Sequence, residues 1–258
     1  MYQRLNKKGQ KSEKIVTAAV FVGLGMTSTI TAQAAEVAAY HSNGQIVFEP
    51  NTEPTDPISP IDPDPDNPIK PVDPTTPDGK PEPGTNGPLS IDFASSLYFG
   101  MQKITSKTEV YHASLQKYED AAGAEQEGPN FVQVTDNRGT ESGWTLHVKQ
   151  NGQFKTGKDQ ELKAAQIRLT NGTIVTPSES PKPSNFKSTI TLDPNGAESL
   201  VMSAQKGEGA GTYLMSWGDS LFAAVDSIEL EVPGSTTKYA VKYSTTFTWL
   251  LTDTPTNP

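Results

Sequence analysis

KYAVKYSTTFTWLLTDTP, residues Lys238 to Pro255, is the stretch that decides the fold. Its odd positions are Tyr239, Val241, Tyr243, Thr245, Phe247, Trp249 and Leu251. Its even positions, Ala240, Lys242, Ser244, Thr246 and Thr248, are small or polar, with Leu250 the one exception. Alternation with period two, in residues that suit a pleated surface, describes a half-buried β-strand. Trp249 and Leu251 stand two apart and therefore share a face. At about 3.3 Å per residue the run exceeds the usual strand length, so a bend or bulge is expected near Ser244–Thr246. An earlier stretch, Gly143-Trp144-Thr145-Leu146-His147-Val148, again sets Trp and Leu two apart.

Outward from these two stretches, residues 89–258 divide into short apolar runs separated by turn residues. Candidate strands are Leu89–Phe93, Val110–Leu115, Phe131–Val134, Trp144–Lys149, Ala165–Leu169 and Thr173–Thr176. Further candidates are Phe186–Leu192, Ser199–Ala204, Thr212–Trp217, Ser227–Val232 and Tyr239–Leu251. The sharpest local signal is Asn171-Gly172 between Gln166–Leu169 and Thr173–Val175, which predicts a hairpin. Many short strands with regular turn signals predict an all-β domain, here an extended, Ig-like β-sandwich of short antiparallel strands.

Residues 1–34 read as a signal peptide. Arg4, Lys7, Lys8, Lys11 and Lys14 make a positive start, Ile15–Ile30 a short apolar run, and Ala32-Gln33-Ala34 a cleavage site. The run is too short and too diluted by Thr, Ser and Gly to predict a membrane span, and no other stretch is apolar enough. Removing the five basic residues and one acidic residue of this segment from the chain's 21 and 30 leaves 16 and 29, a net charge of −13. So acidic a chain has no electrostatic footprint for nucleic acid and is repelled by anionic lipid. There is no cysteine, so a core rather than disulfides must hold the fold.

The expected domain is residues 35–258, with a docked N-terminal strand in 36–49 and the main body in 89–258. The strand is Gln45–Phe48, in which Ile46 and Phe48 alternate with polar neighbours after an Asn43-Gly44 turn signal. Between them, Pro50–Pro88 holds 13 of the 21 prolines and eight acidic against two basic residues. Proline lacks the donor a ladder needs and the segment offers little apolar surface, so it is expected to be a disordered, mobile loop. Asp62-Pro63-Asp64-Pro65-Asp66-Asn67, with Asp73 beyond, has a superficial likeness to a calcium loop, but the turn glycine and terminal Glu are missing. No metal or cofactor is expected.

Catalytic patterns are likewise missing. His41, His112 and His147 have no spacing that suggests a triad or metal site, and neither a nucleophile elbow nor a phosphate-binding loop is present. Gly207-Glu208-Gly209-Ala210-Gly211 precedes a strand-like Thr212–Met215 instead of a helix, so it reads as a tight turn. The expectation is a protein that is not an enzyme.

Together the two Trp-x-Leu units resemble the WxL domain family of surface proteins from low-GC Gram-positive bacteria. Gly143–Val148 resembles the proximal motif, and Tyr243 through Trp249-Leu250-Leu251 to Pro255 the distal one. Gly209–Tyr213 with Trp217 is similar to the Gly-rich segment between them. Ser42–Phe48, the Asp-Pro tract and Leu89–Phe93 resemble the small members, in which this domain is nearly the whole mature protein. Leu250 departs from the polar residue more usual there. The resemblance covers residues 40–258. It implies an extracellular protein on the cell wall and cell surface, with peptidoglycan as ligand. It also implies partners among other WxL proteins and membrane-anchored surface companions, with host extracellular components a further candidate partner. No LPxTG sorting signal or apolar tail is present, so non-covalent attachment is the expectation.

The candidate ligand-binding residues are Trp144, Leu146, Trp217, Tyr243, Trp249 and Leu251. Two readings of them stand side by side. A tryptophan on the apolar face of a strand contributes a large buried area and suits a core. A flat aromatic ring also stacks on the apolar side of a sugar. Both hold if the pairs lie half exposed at a sheet edge. The alternative function is a protein-interaction or adhesion module retained on the wall through partners, docking by strand addition.

Overall fold

Fifteen short strands and one helical turn make up residues 38–256, the part of the chain that the computed structural model describes. In chain order the strands begin with β1 (Lys70–Pro71), β2 (Leu89–Ala94), β3 (Glu109–His112), β4 (Gln116–Glu119), β5 (Glu125–Gly128), β6 (Asn130–Asp136), β7 (Trp144–Gln150) and β8 (Gln166–Leu169). They continue with β9 (Gly172–Val175), β10 (Asn185–Phe186), β11 (Ile190–Thr191), β12 (Ser199–Ala204), β13 (Gly211–Trp217), β14 (Ile228–Val232) and β15 (Phe247–Thr252). The turn α1 (Leu221–Ala224) lies between β13 and β14 and is capped by Ser220, whose side chain accepts from Ala223 N.

The chain is all-β, as its alternation predicts, but it is not a two-sheet sandwich. Its antiparallel strands form four small sheets, β1-β4-β5, β2-β6-β13-β9, β10-β12-β7-β15 and β11-β8-β14-β3, in a propeller-like ring. The Asn171-Gly172 signal shows why local patterns misplace this. Asn171 does turn the chain, at φ 55°. Yet β8 pairs with β11 and β14, whereas β9 pairs with β13, so the turn is a corner between sheets and not a hairpin. At Gly172 a Cβ would sit 3.1 Å from the Lys187 carbonyl oxygen, a tighter contact than most side chains make.

Strand β6 is buried at every position, so the sheet around it is covered on both faces. Val132, Val134, Tyr213 and Met215 point into the larger core, which also takes Trp144, Leu146 and Ile167. Phe131, Leu214 and Phe93 point into a smaller core with Ile58, Ile69 and Tyr118. Phe93 and Phe131 meet there with ring centroids 4.8 Å apart.

Ile58 and Ile69 belong to the proline-rich segment, which therefore differs from the loop without packed structure that its composition predicts. The two isoleucines anchor it at 2% and 4% exposure. The prolines keep it out of a regular ladder, but a buried side chain substitutes: Gln133 Oε1 accepts from Ile58 N at 2.8 Å, and Gln133 Nε2 donates to Asp56 O at 3.1 Å. Two residues, Lys70 and Pro71, pair with Glu119 and Tyr118 as β1.

Two other expectations differ. Gln45–Phe48 is not in a strand, and Ile46, Val47 and Phe48 are exposed at 75, 79 and 84%. The compact unit that holds the sheets and both cores begins at Val47. The long final strand is only β15, and Ser244 keeps a single bridge to Lys155. Upstream of it Tyr239 and Val241 are exposed at 45 and 58%, so the break falls where a bend was expected. The proposed signal peptide lies outside the described residues.

Candidate functional site

Both Trp-x-Leu units lie on one sheet, on neighbouring strands. β15 pairs antiparallel with β7, with Leu251 opposite Leu146 and Trp249 opposite Val148. Directly opposed residues in such a pair share a face, so both units face the larger core.

The proximal unit is entirely inside. Trp144 and Leu146 are fully buried. The Trp144 indole donates from Nε1 to Gly209 O at 2.9 Å, and its ring lies 6.3 Å from that of Tyr213. This explains the glycine-rich turn between the motifs. At Gly209, φ is +76° and a Cβ would sit 2.7 Å from Trp144 Nε1. Only glycine lets the backbone come close enough to accept that bond. Tyr213 donates its hydroxyl to Ser180 O at 2.7 Å, and burial raises its pKa.

Trp217 is also buried, 6.0 Å from the Trp249 ring, but its Nε1 finds no acceptor among the described residues. Trp249, Leu251 and Tyr243 are half-buried and pack against the core from its margin. β15 is the outer strand of its sheet. Tyr243 precedes it, and its hydroxyl accepts from Tyr239 N at 3.0 Å. The six candidate residues thus divide into a buried trio, Trp144, Leu146 and Trp217, and a marginal trio, Tyr243, Trp249 and Leu251.

The ends of the motifs are tied together as well. A Cβ on Gly143, where φ is +83°, would meet Pro255 Cγ at 2.7 Å. Thr145 Oγ1 donates to Thr254 O at 2.8 Å and accepts from Thr256 N at 2.9 Å. Before the proximal unit, Arg138 grips both carboxylate oxygens of Asp136 at 2.9 and 2.7 Å and donates to Gly143 O at 2.8 Å. Nothing in the sequence pattern pointed to this Arg138 clamp.

A hollow of about 380 Å³ opens on the proline-rich side, lined by Pro57, Pro71, Pro81, Phe93 and Asp92 among others. Asp92 is buried, which raises its pKa, and it accepts from Ser90, Gln133 and Thr135 at 2.6, 2.9 and 2.6 Å. Those three bonds occupy the carboxylate, so it acts as a structural node. Asp64 and Asp73 each serve their own turns, Asp64 accepting from Asp66 N and Asn67, Asp73 from Thr75 and Ser96. Among the described residues no group of three acidic or histidine side chains could hold a metal. His112 lies 3.6 Å from Asp226, and His147 sits half-buried in register with Leu200 and Leu250. No helix among these residues is long and apolar enough to cross a membrane.

A family model described as a WxL domain, surface cell wall-binding, matches residues 34–255. No curated protein and no solved structure matches the chain.

Proposed function

The chain belongs to the WxL domain surface cell wall-binding family, and from that premise we propose that its ligand is peptidoglycan. In this reading it is a non-catalytic protein, exported by cleavage after residue 34 and attached to the wall without a covalent bond. The contact is made at the margin of β15, where Tyr243 and Trp249 offer half-exposed rings and Leu251 an apolar neighbour. The observation that carries this is the division of the six candidate residues. Trp144, Leu146 and Trp217 are committed to the core, so a ligand can reach only the marginal trio without unfolding the domain.

Co-sedimentation with sacculi stripped of proteins and anionic polymers tests it. The wild-type protein pellets, and a folded Trp249→Ala variant, checked by circular dichroism, stays in the supernatant. No pelleting of the wild type refutes peptidoglycan as the ligand. Undiminished pelleting of a folded Trp249→Ala, Tyr243→Ala double variant moves the contact elsewhere.

A second reading has one observation in its favour. β15 has a sheet partner on one side only, and an outer strand is a template for strand addition. In that case the protein is held on the wall through other surface proteins, with further WxL proteins and membrane-anchored companions as the candidates. Pelleting that needs a protein-containing wall fraction would support it.

A further inference from the structure

Charge in this protein is segregated. Three loops, residues 95–108, 151–165 and 233–246, are tied to one another at one end of the body. Phe99 of the first packs edge-on against Phe154 of the second, centroids 6.2 Å apart. Lys155 of the second and Ser244 of the third exchange two backbone bonds of 2.9 Å. Gly234 N of the third donates to Thr108 Oγ1 of the first at 3.1 Å. These loops carry seven lysines and two acidic residues. Of the 16 basic and 29 acidic residues after position 34, that leaves 9 and 27 for everything else. A strongly acidic protein therefore has one basic end.

The lysines there are available. Lys155 pairs with Glu161 at 3.3 Å, and Lys238 turns back to the carbonyls of Pro233 and Thr236. Lys103, Lys107, Lys158, Lys163 and Lys242 are exposed and have no ion-pair partner among the described residues. Between them stand exposed apolar side chains: Met101 at 95%, Ile104 and Val241 at 58%, and Tyr239 at 45%.

We propose that this basic end docks an anionic polymer of the wall that carries phosphodiester groups. Charge complementarity selects an anion, and the geometry of the charge selects a thread over a plane. A membrane or a large acidic protein brings an extended negative surface against the whole molecule, whose remaining 27 acidic and 9 basic residues oppose it. A flexible polymer can follow the three loops, bordered in sequence by Glu109 and Glu231, without facing the acidic remainder as a plane would. Tyr239 and the aliphatic side chains supply contacts for the carbon chain between phosphates. This site is separate from the β15 margin, and it rests on the family's wall-binding role but not on peptidoglycan as ligand.

The experiment compares sedimentation of the purified protein with walls before and after hydrofluoric-acid removal of phosphodiester polymer, with soluble poly(glycerol phosphate) as competitor. Intact walls retain more protein than stripped walls, and the excess is competed by the soluble polymer. The excess weakens on the order of tenfold between 50 and 200 mM salt, the dependence of roughly two to three neutralised phosphates on a flexible chain. A Lys103→Glu, Lys107→Glu, Lys242→Glu variant loses the excess. A charge-matched Arg168→Glu, Lys187→Glu, Lys206→Glu control keeps it. Equal binding to both wall preparations overturns the proposal, as does equal loss in the control. Retention on phosphatidylglycerol vesicles stronger than on the polymer overturns it in favour of a membrane. Binding to stripped sacculi reports on the peptidoglycan reading alone, so either can fail without the other.

Discussion

Trp144→Phe and Trp217→Phe make the same chemical change in one core and should differ in cost. Both indoles are at most 2% exposed. In each, the smaller ring leaves a gap of about 40 Å³, which at roughly 24 cal/mol per Å³ costs about 1 kcal/mol. Trp144 also loses its bond to Gly209 O, leaving a buried carbonyl without that partner at a cost of about 1–2 kcal/mol. Trp217 loses no bond to the described residues, among which its Nε1 has no acceptor, and removing an unsatisfied buried donor returns part of the cavity cost. Trp144→Phe is therefore expected to destabilise by about 2–3 kcal/mol and Trp217→Phe by about 1 kcal/mol or less. Urea unfolding followed by far-ultraviolet circular dichroism and extrapolated linearly gives both values, with equal m-values showing that the unfolded states match. A Trp217→Phe cost equal to or above that of Trp144→Phe refutes the assignment of the Gly209 bond as the difference between them.

Gly209→Ala should cost about 2 kcal/mol or more, since a Cβ would collide with Ala204 Cβ at 2.5 Å and with the indole at a φ that alanine disfavours; the same urea titration reads it. Gln133→Ala strips partners from Ile58 N, Asp56 O and Asp92 together and should cost roughly 2–4 kcal/mol. Its signature is cleavage within residues 50–88 by a protease under conditions that leave the sheets folded, and equal resistance to wild type counts against anchoring of that segment by Gln133. Burial raises the Asp92 pKa above its ordinary 3.8, so the folded state holds that proton more tightly than the unfolded chain. The resulting stability is complete below 3.8 and is lost as pH rises through the folded value. Relative to Asp92→Asn, the wild type should gain stability on acidification through that window, and a difference that stays flat with pH contradicts it.

Strand identity was legible wherever one face meets a core and the other does not. Ile228–Val232 follows the alternation closely, and Trp144–Gln150 does so in its second half. What local alternation does not carry is which strand a run pairs with. Asn171-Gly172 has the residues of a hairpin turn, but the choice between hairpin and corner is made by Gly218, which donates to Asn171 O from 47 positions downstream, and by Lys187 and Ser188, whose backbone presses on Gly172. The hairpin of β4 and β5 is not marked by apolar periodicity, because Tyr118 is its one large apolar residue: β4 buries Gln116 beside it and β5 exposes Glu125, Gln126 and Glu127. The proline-rich segment misled for a related reason. Composition averages over residues 50–88, whereas two isoleucines and one glutamine on a distant strand are enough to seat it.

The candidate site was half legible, and the half that was not is the more instructive. Period two puts Trp and Leu of each unit on one face, and the structure adds that the units are partners, Leu146 opposite Leu251. Burial, however, depends on position within the sheet. β7 lies inside, between β12 and β15, so its unit is enclosed, while β15 is outermost and its unit is left half covered. Two motifs of the same composition thus do different work: the proximal tryptophan, bonded to the glycine-rich turn, holds the sheet against which the distal one is presented. On the proposed contact, loss of wall binding in a Trp144 variant speaks to folding, and only variants of Tyr243, Trp249 and Leu251 report on a ligand. The basic end escaped sequence reading for a physical reason as well. Its seven lysines are spread over three loops separated by whole strands, and the net charge of −13 over residues 35–258 hides them until contacts such as Phe99 with Phe154 bring those loops together.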